Sequence, residues 1–463
     1  MANKRPNIVF FFTDDQRTGT IRALGNDRIY TPNMDWLVEQ GTAFTQAYIM
    51  GGTCGAVCMP SRAMLMTGRT LFHLDDLGQQ IPQEHILLGE LLQNAGYNTF
   101  GTGKWHNGPD SYARSFISGA EIFFGGMNDH WNIPSCDYNP DGIYPEPQEL
   151  EARFTDLHVH LSQRYDHIRR GKHSSDLFCN AAVNYISQYN DDAPFFAYIA
   201  YMAPHDPRET HRMYHDLYPP ESIPLPENYM PVHPFDNGEL RVRDELLAGF
   251  PRTTSDVKRH NAEYYAMITH ADETIGRVIS ALKAAGKLEN TIFVLAGDNG
   301  LAIGRHGLFG KQNMYDHSIH VPLIMAGPSV PKNQRRDAFC YLLDIYPTLC
   351  NLVGVAVPES VEGKSLRPIM DNPNHENYKT LAFAYRDIQR AVQDKNYKLI
   401  EYVVNGCQRT QLFNRHSDPL ELHNIADDPI YADHVQRLRT SLVEWRDNLD
   451  DWGQNFWEHY HTA

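Results

Sequence analysis

Residues 7–15 read NIVFFFTDD, and residues 291–299 read TIFVLAGDN. Each is a short, continuous apolar run that stops at an acidic turn. A run of this length without polar alternation predicts a strand buried on both faces, as in a parallel sheet covered by helices on either side. The surrounding chain repeats the pattern. Pro194–Tyr201 and Val321–Ala326 read as further buried strands, and Tyr97–Thr102 as a short one. Between them lie helix-period segments. Ile86–Ala95 is stopped by Gly96, and Tyr264–Leu282 carries Met267, Ala271, Ile275, Val278 and Leu282 on one face. Strands alternating with helices predict an α/β fold with a large mixed, mainly parallel sheet sandwiched by helices.

Two regions depart from this rhythm. Pro204–Thr254 is rich in Pro, His and charge and reads as a long surface excursion of the kind that builds pockets. At Asp371-Asn372-Pro373-Asn374 the composition turns polar. The expected division is therefore 1–370 for the main domain and 371–463 for a smaller C-terminal α+β subdomain. The latter has strand-like pieces at Thr380–Tyr385 and Tyr397–Val404 and a closing helix near Ala432–Leu449.

Composition limits the function. The chain has 463 residues, 42% hydrophobic and 21% charged, which excludes a disordered or collagen-like chain. Its 41 Lys+Arg against 57 Asp+Glu give a net charge of −16, so neither nucleic acid nor an anionic membrane is expected as a partner. The first apolar run is far shorter than a membrane span, and no signal peptide precedes it. The expected location is cytoplasmic, or periplasmic or secreted if a leader was trimmed. Seven scattered cysteines with no C-x-x-C pair predict neither a disulfide framework nor a structural zinc site.

Chemistry concentrates at strand ends, where open α/β sheets place their ligands. Asp14-Asp15 could be a turn with a helix cap, but two adjacent carboxylates are costly to bury without a cation. Asp298-Asn299 reads alone as a turn. Together, the two sites supply hard oxygen ligands suited to Ca²⁺ or Mg²⁺ rather than zinc. Cys58-Met59-Pro60-Ser61-Arg62 places a cysteine just ahead of a helix start, where free N–H groups attract an anion. A buried inert thiol is the alternative. Cys54 reads as a spectator.

Cys58-x-Pro60-Ser61-Arg62 followed by Thr67-Gly68-Arg69 resembles the signature of the type I, formylglycine-dependent sulfatases of the alkaline phosphatase-like superfamily. Further stretches agree: Arg5-Pro6-Asn7-Ile8, Gly103-Lys104-Trp105-His106, Pro204-His205, Gly297 through His306-Gly307 to Lys311, Leu412-Phe413-Asn414 and Asp418-Pro419-Leu420-Glu421. The resemblance implies a sulfuric ester hydrolase whose Cys58 is oxidised to formylglycine by a separate maturation enzyme. Asp14, Asp15, Asp298, Asn299 and residue 58 would hold a divalent cation, Ca²⁺ rather than Mg²⁺. Lys104, Lys311 and His205 would grip the sulfate, and His205 or Lys311 would protonate the leaving alcohol. One hydroxyl of the hydrated aldehyde would attack sulfur, and His106 would deprotonate the other to expel sulfate. Arg62 would position residue 58.

For the outer pocket the candidates are Asp129, His130, Trp131, Arg208 and Arg386, with Arg114 and His211 beside them. An aromatic next to His and Asp, with basic side chains near, suits a sulfated saccharide; simple packing is the alternative for Trp131. Two other functions share parts of this pattern: a phosphodiesterase or phosphonate monoester hydrolase with the same nucleophile, and a non-catalytic binding protein that keeps its cysteine.

Overall fold

The computed structural model describes residues 5–154 and 157–461, with the side chains of 75, 76 and 152–160 left out. The main strands are β1 (Asn7–Thr13), β2 (Gly41–Phe44), β3 (Asn98–Lys104), β4 (Ser118–Phe123), β5 (Phe195–Ala200), β6 (Thr291–Gly297), β7 (Leu323–Ala326) and β8 (Gln334–Arg336). They form one eight-stranded sheet in the order β8-β2-β7-β6-β1-β5-β3-β4. Only β7 runs against the rest. The helices that matter here are α1 (Pro32–Gln40), α2 (Cys58–Thr67), α3 (Leu88–Asn94), α4 (Ser174–Gln188), α5 (Thr254–Ala284), α6 (Ile345–Val353) and α7 (Ala432–Asn448).

The apolar run of β1 explains its central place. Ile8, Phe10 and Phe12 enter one hydrophobic core, while Val9 and Phe11 enter the core on the other face. Side chains alternate faces along a strand, so a strand with both faces buried must be apolar throughout. Register then levels the strand ends. Phe12 sits opposite Ala200 and Ala296, Thr13 opposite Gly297, and Ala200 opposite Gly103. The residues that follow β1, β3, β5 and β6 therefore emerge along one edge.

Boundaries differ from expectation by a few residues. The helix predicted over Ile86–Ala95 is α3, and the strand predicted over Tyr97–Thr102 is β3, which runs on to Lys104. The long helix starts at Thr254, ten residues before the apolar stripe. Thr253 caps it by accepting the Asp256 N–H, and its first turns are polar. Pro204–Thr254 is the irregular, partly exposed segment expected, and it lines a cavity, but several of its polar residues turn inward. His205, Asp206, Arg208, His233, Glu239 and Arg252 are all buried. Arg252 pins the segment by donating to the carbonyls of Glu245, Ala248 and Gly307.

Beyond residue 370, β9 (Leu381–Tyr385), β10 (Gln389–Gln393), β11 (Tyr397–Val404) and β12 (Cys407–Asn414) make an antiparallel sheet. Helix α7 packs on it through Val435, Leu438 and Leu442. The edge of this sheet is completed from far upstream, because Gly51–Gly52 pairs in parallel with β9. That short strand precedes Cys58 by six residues, so the small sheet helps fix the start of α2. All seven cysteines are free. No helix among the described residues is long and apolar enough to cross a membrane.

Candidate active site

Cys58 opens α2, a helix buried along its whole length. Gly68 ends that helix in the left-handed conformation, donating its N–H to the Met64 carbonyl, which accounts for the glycine in Thr67-Gly68-Arg69. Cys58 Sγ lies 3.4 Å from Lys104 Nζ and 3.4 Å from His106 Nδ1. Burial pushes the Cys58 thiol up to about 11 even though Lys104 and Lys311 favour its thiolate. An unmodified residue 58 is a poor nucleophile.

Behind it stands a layer of charge with almost no exposure to water. Lys104 Nζ donates to Asp14 Oδ2. Arg62 donates to Asp298 Oδ2 through Nε at 3.0 Å and Nη2 at 2.8 Å, and to the Lys104 carbonyl through Nη1 at 2.9 Å. Lys311 Nζ lies 2.6 Å from Asp15 Oδ1. Asp298 Oδ1 accepts the Asp15 N–H at 3.0 Å, and Ser61 Oγ donates to the Asp298 carbonyl at 2.6 Å. The carboxylates respond unequally. Burial would raise Asp14, but Lys104, His205 and Arg62 hold it well below the usual carboxylate range. Burial and the adjacent Asp14 push Asp298 up to about 6 against the pull of Arg62.

Two oxygens in this layer have no partner. Asp14 Oδ1 and Asn299 Oδ1 are buried and unbonded, while Asn299 Nδ2 is turned to Asp15 Oδ1 at 2.6 Å. Buried acceptors are nearly always satisfied, so a pair of them among three carboxylates fits a cation. The ligand atoms of Asp14, Cys58 and Asp298 lie within 4.8 Å of one another, as do those of Asp14, Asp15 and His205.

His106 has a left-handed backbone (φ 68°), and its ring packs where Gly126 leaves room: a Cβ there would come within 2.9 Å of it. Burial, then Lys104 and Arg62, hold its pKa well below the usual value, so it is a neutral imidazole. His205 Nδ1 lies 2.7 Å from the Asp206 carbonyl, which fixes the N–H there and leaves Nε2 facing Asp15 Oδ2 at 3.8 Å. Cys58, His106, His205, Lys311, Arg243 and Arg386 line a cavity of about 300 Å³.

The nucleophile and cation candidates thus converge. The outer-pocket candidates largely do not. Asp129 folds back onto the Trp131 N–H at 2.7 Å and Asn132 Nδ2 at 2.6 Å. His130 is fully buried between Ser174 Oγ and the His205 carbonyl. It supports the His205 backbone rather than facing the cavity. Trp131 packs edge-on against His173 and His211. Arg208 is buried against His260 Nδ1 at 2.9 Å, and Arg114 is spent on the carbonyls of Ile81, Pro82, Gln83 and His85. Arg386 alone of these lines the cavity, ion-paired with Glu239 at 3.1 Å.

Other residues at the cavity carried no motif. Arg243 pairs with Asp206, and Gln312 bridges the Gly55 carbonyl at 3.1 Å and Asp244 Oδ2 at 2.7 Å. Asp206 follows His205 directly and was the one available signal.

The sulfatase family model matches residues 6–355, and the model of the N-sulphoglucosamine sulphohydrolase C-terminal region matches 304–448. An ulvan-active sulfatase of Formosa agariphila is 30% identical, over 96% of this chain and 82% of its own. An N-acetylglucosamine-6-O-sulfatase of Bacteroides thetaiotaomicron is 26% identical over 97% and 88%. A structure solved with its substrate, D-glucosamine-2-N,6-O-disulfate, superposes with a TM-score of 0.72 at 24% identity, covering 98% of this chain and 99% of that one. With this fold and these matches, the chain belongs to the sulfatases of the alkaline phosphatase-like superfamily and is a sulfuric ester hydrolase.

Proposed function

We propose that this sulfatase hydrolyses a sulfate ester on a carbohydrate, with residue 58 acting as a formylglycine and with Ca²⁺ held by Asp14, Asp15, Asp298, Asn299 and residue 58. One observation carries the reading. Cys58 sits where Lys104 and His106 converge, directly over a carboxylate layer that leaves Asp14 Oδ1 and Asn299 Oδ1 unpartnered. The cation would act as a Lewis acid on the sulfuryl oxygens. The hydrated aldehyde would supply a nucleophilic hydroxyl that a thiol lacks.

The remaining work falls to this chain's side chains. Lys104 and Lys311 place fixed positive charge on the sulfuryl group, which stays anionic throughout the reaction. Arg62 holds Asp298 in place and, through the Lys104 carbonyl, ties the end of β3 to α2. His205 is the better placed acid for the leaving oxygen. Its Nδ1–H is anchored to the Asp206 carbonyl, so the proton it could deliver is the second one, which the imidazolium form carries on Nε2 beside the cavity, whereas Lys311 is already donating to Asp15. His106, a neutral ring 3.4 Å from residue 58, is placed to take a proton from it.

The saccharide substrate is supported by the relatives' names, ulvan-active and N-acetylglucosamine-6-O, and by Arg243 and Arg386 at the cavity mouth. A maturation enzyme that oxidises Cys58 is part of the same proposal. So is the division into a catalytic domain, 1–370, and a C-terminal subdomain, 371–463. The test is the mass of the peptide containing residue 58 from protein made in its native host, followed by a panel of sulfated sugars assayed beside a phosphonate monoester. An aldehyde or its hydrate, with faster turnover of a sulfated sugar, is expected. An intact thiol refutes the nucleophile, and faster turnover of the phosphonate moves the function to the phosphonate hydrolases.

A further inference from the structure

A second cavity, of about 370 Å³, lies between the turn after β6 and the Asp418–Glu421 turn of the C-terminal region. Arg17, Arg305 and His317 line it. It touches the back of the catalytic turn: a Cβ on Gly300 would come 2.1 Å from the His317 carbonyl oxygen and 2.8 Å from Arg17 Cβ.

Three arginines, Arg17, Arg305 and Arg415, line it with three carboxylates, but they do not pair with one another. The carboxylates are all engaged elsewhere. Asp316 pairs with Lys398 at 2.8 Å, Glu421 pairs with Lys398 at 2.6 Å, and Asp418 accepts the N–H groups of Leu422 and His423 at 2.9 and 2.8 Å. Arg415 is also spent, on Gln46 Oε1 at 2.6 Å and Tyr48 Oη at 2.9 Å. Arg17 and Arg305 remain, and neither forms an ion pair among the described residues. Arg17 is 3% exposed, lies over the Tyr264 ring at 4.7 Å, donates Nη2 to Asn261 Oδ1 at 3.3 Å, and leaves Nη1 without a hydrogen-bond partner. Arg305 donates Nη1 to the Ala302 carbonyl at 3.0 Å. Both ring nitrogens of His317 are buried and unbonded.

Two guanidinium groups that face one cavity with no ion-pair partner, one of them buried, are an unfavourable arrangement. Burial and then Arg17 lower Arg305 to about 9, which shows the same crowding. Guanidinium forks bind tetrahedral oxyanions in bidentate fashion, and a neutral imidazole adds one N–H. We propose that the Arg17–Arg305–His317 cavity is a second anion site that takes a doubly charged tetrahedral oxyanion, sulfate or phosphate, separately from the catalytic cavity. The cavity is larger than either ion and leaves room for the waters around it. The site is also wired to the catalytic layer: the Arg17 N–H donates to Tyr264 Oη at 2.9 Å, and Tyr264 Oη donates to the Asp15 carbonyl at 2.5 Å.

Crystals soaked in selenate locate the ion directly by its anomalous signal. The expected result is a peak between Arg17 and Arg305, in addition to any peak beside residue 58. Calorimetric titration at constant ionic strength then uses full-length Lys311→Met, so that the catalytic cavity contributes little. Sulfate and phosphate are titrated separately, and the tighter one identifies the source. Arg305→Gln in that background is expected to weaken the remaining site at least tenfold, and His317→Gln serves if Arg305→Gln does not fold. Selenate beside residue 58 alone, or titrations unchanged by both substitutions, would overturn the proposal.

Discussion

Arg62→Met tests whether the charged layer under Cys58 is a coupled unit. Met keeps most of the volume and removes the guanidinium. Three hydrogen bonds are lost: two to Asp298 Oδ2 and one to the Lys104 carbonyl, all in a place without exposure to water. The cation also sits over the Phe12 ring, 4.9 Å from its centroid. Breaking a buried ion pair by removing one partner costs about 3–5 kcal/mol, because the other charge stays behind. An unsatisfied buried carbonyl adds about 1 kcal/mol. At about 2 cal/mol/K of unfolding entropy per residue, this 463-residue chain loses roughly 1 °C of Tm per kcal/mol, so the expected drop is about 4–6 °C by calorimetry. The decisive measurement is the double-mutant cycle with Asp298→Asn, run in chelator so that cation occupancy does not vary. Removing the stranded carboxylate charge should recover about 2 kcal/mol or more. Costs that simply add, to within about 0.5 kcal/mol, would show that Arg62 and Asp298 are not energetically paired and would refute the reasoning.

Three further outcomes are expected. His106→Ala should lower kcat by about a thousandfold, in the range of a lost general base, with an unchanged circular dichroism spectrum; full activity would remove His106 from the reaction. A chelator should abolish turnover and added Ca²⁺ restore it, whereas indifference after prolonged dialysis would argue against the Asp14–Asp15–Asp298–Asn299 ligand set. Stability should fall between pH 6.5 and 3, because burial lowers His233 and His306 to about 4 and His130 to about 3. A depressed histidine adds stability that is complete above its unfolded pKa of about 6.5 and is lost as pH falls through the folded value, on the order of 3 kcal/mol for each of them. Urea melts at pH 7 and pH 5 measure the loss, and a pH dependence unchanged in His233→Gln would exclude that residue as a contributor.

The legible part of this protein was the part written in short contiguous motifs. NIVFFFT before Asp14-Asp15 and TIFVLAG before Asp298-Asn299 declare buried strands, and register alone then places their carboxylates side by side. Cys58, Arg62, Lys104 and His106 lie within similarly compact stretches. What escaped depends on pairing across distance. Arg243 meets Asp206 across 37 positions of sequence, and no local pattern announces it. A two-residue strand at Gly51–Gly52 is too short to leave a periodicity. Asp129-His130-Trp131 is ambiguous for a different reason. A carboxylate, an imidazole and an indole in a row look alike whether they meet a sugar or satisfy one another. Here Asp129 closes its own turn, and His130 is consumed by Ser174 and His205.

The charge arithmetic of the site bears on what it selects. Asp14, Asp15 and Asp298 face Arg62, Lys104 and Lys311, three anions against three cations, with each anion contacted by at least one of the cations. Without an ion the layer is neutral, which lowers the cost of burying it. A divalent cation on the two unpartnered oxygens would leave a surplus of about two positive charges beneath residue 58, and a sulfuryl group is the anion that meets it. The same layer gives no reward to a neutral ester. If the substrate is the proposed saccharide, selectivity for the sulfated position would be set above this layer, by Arg243, Arg386 and the loops around them.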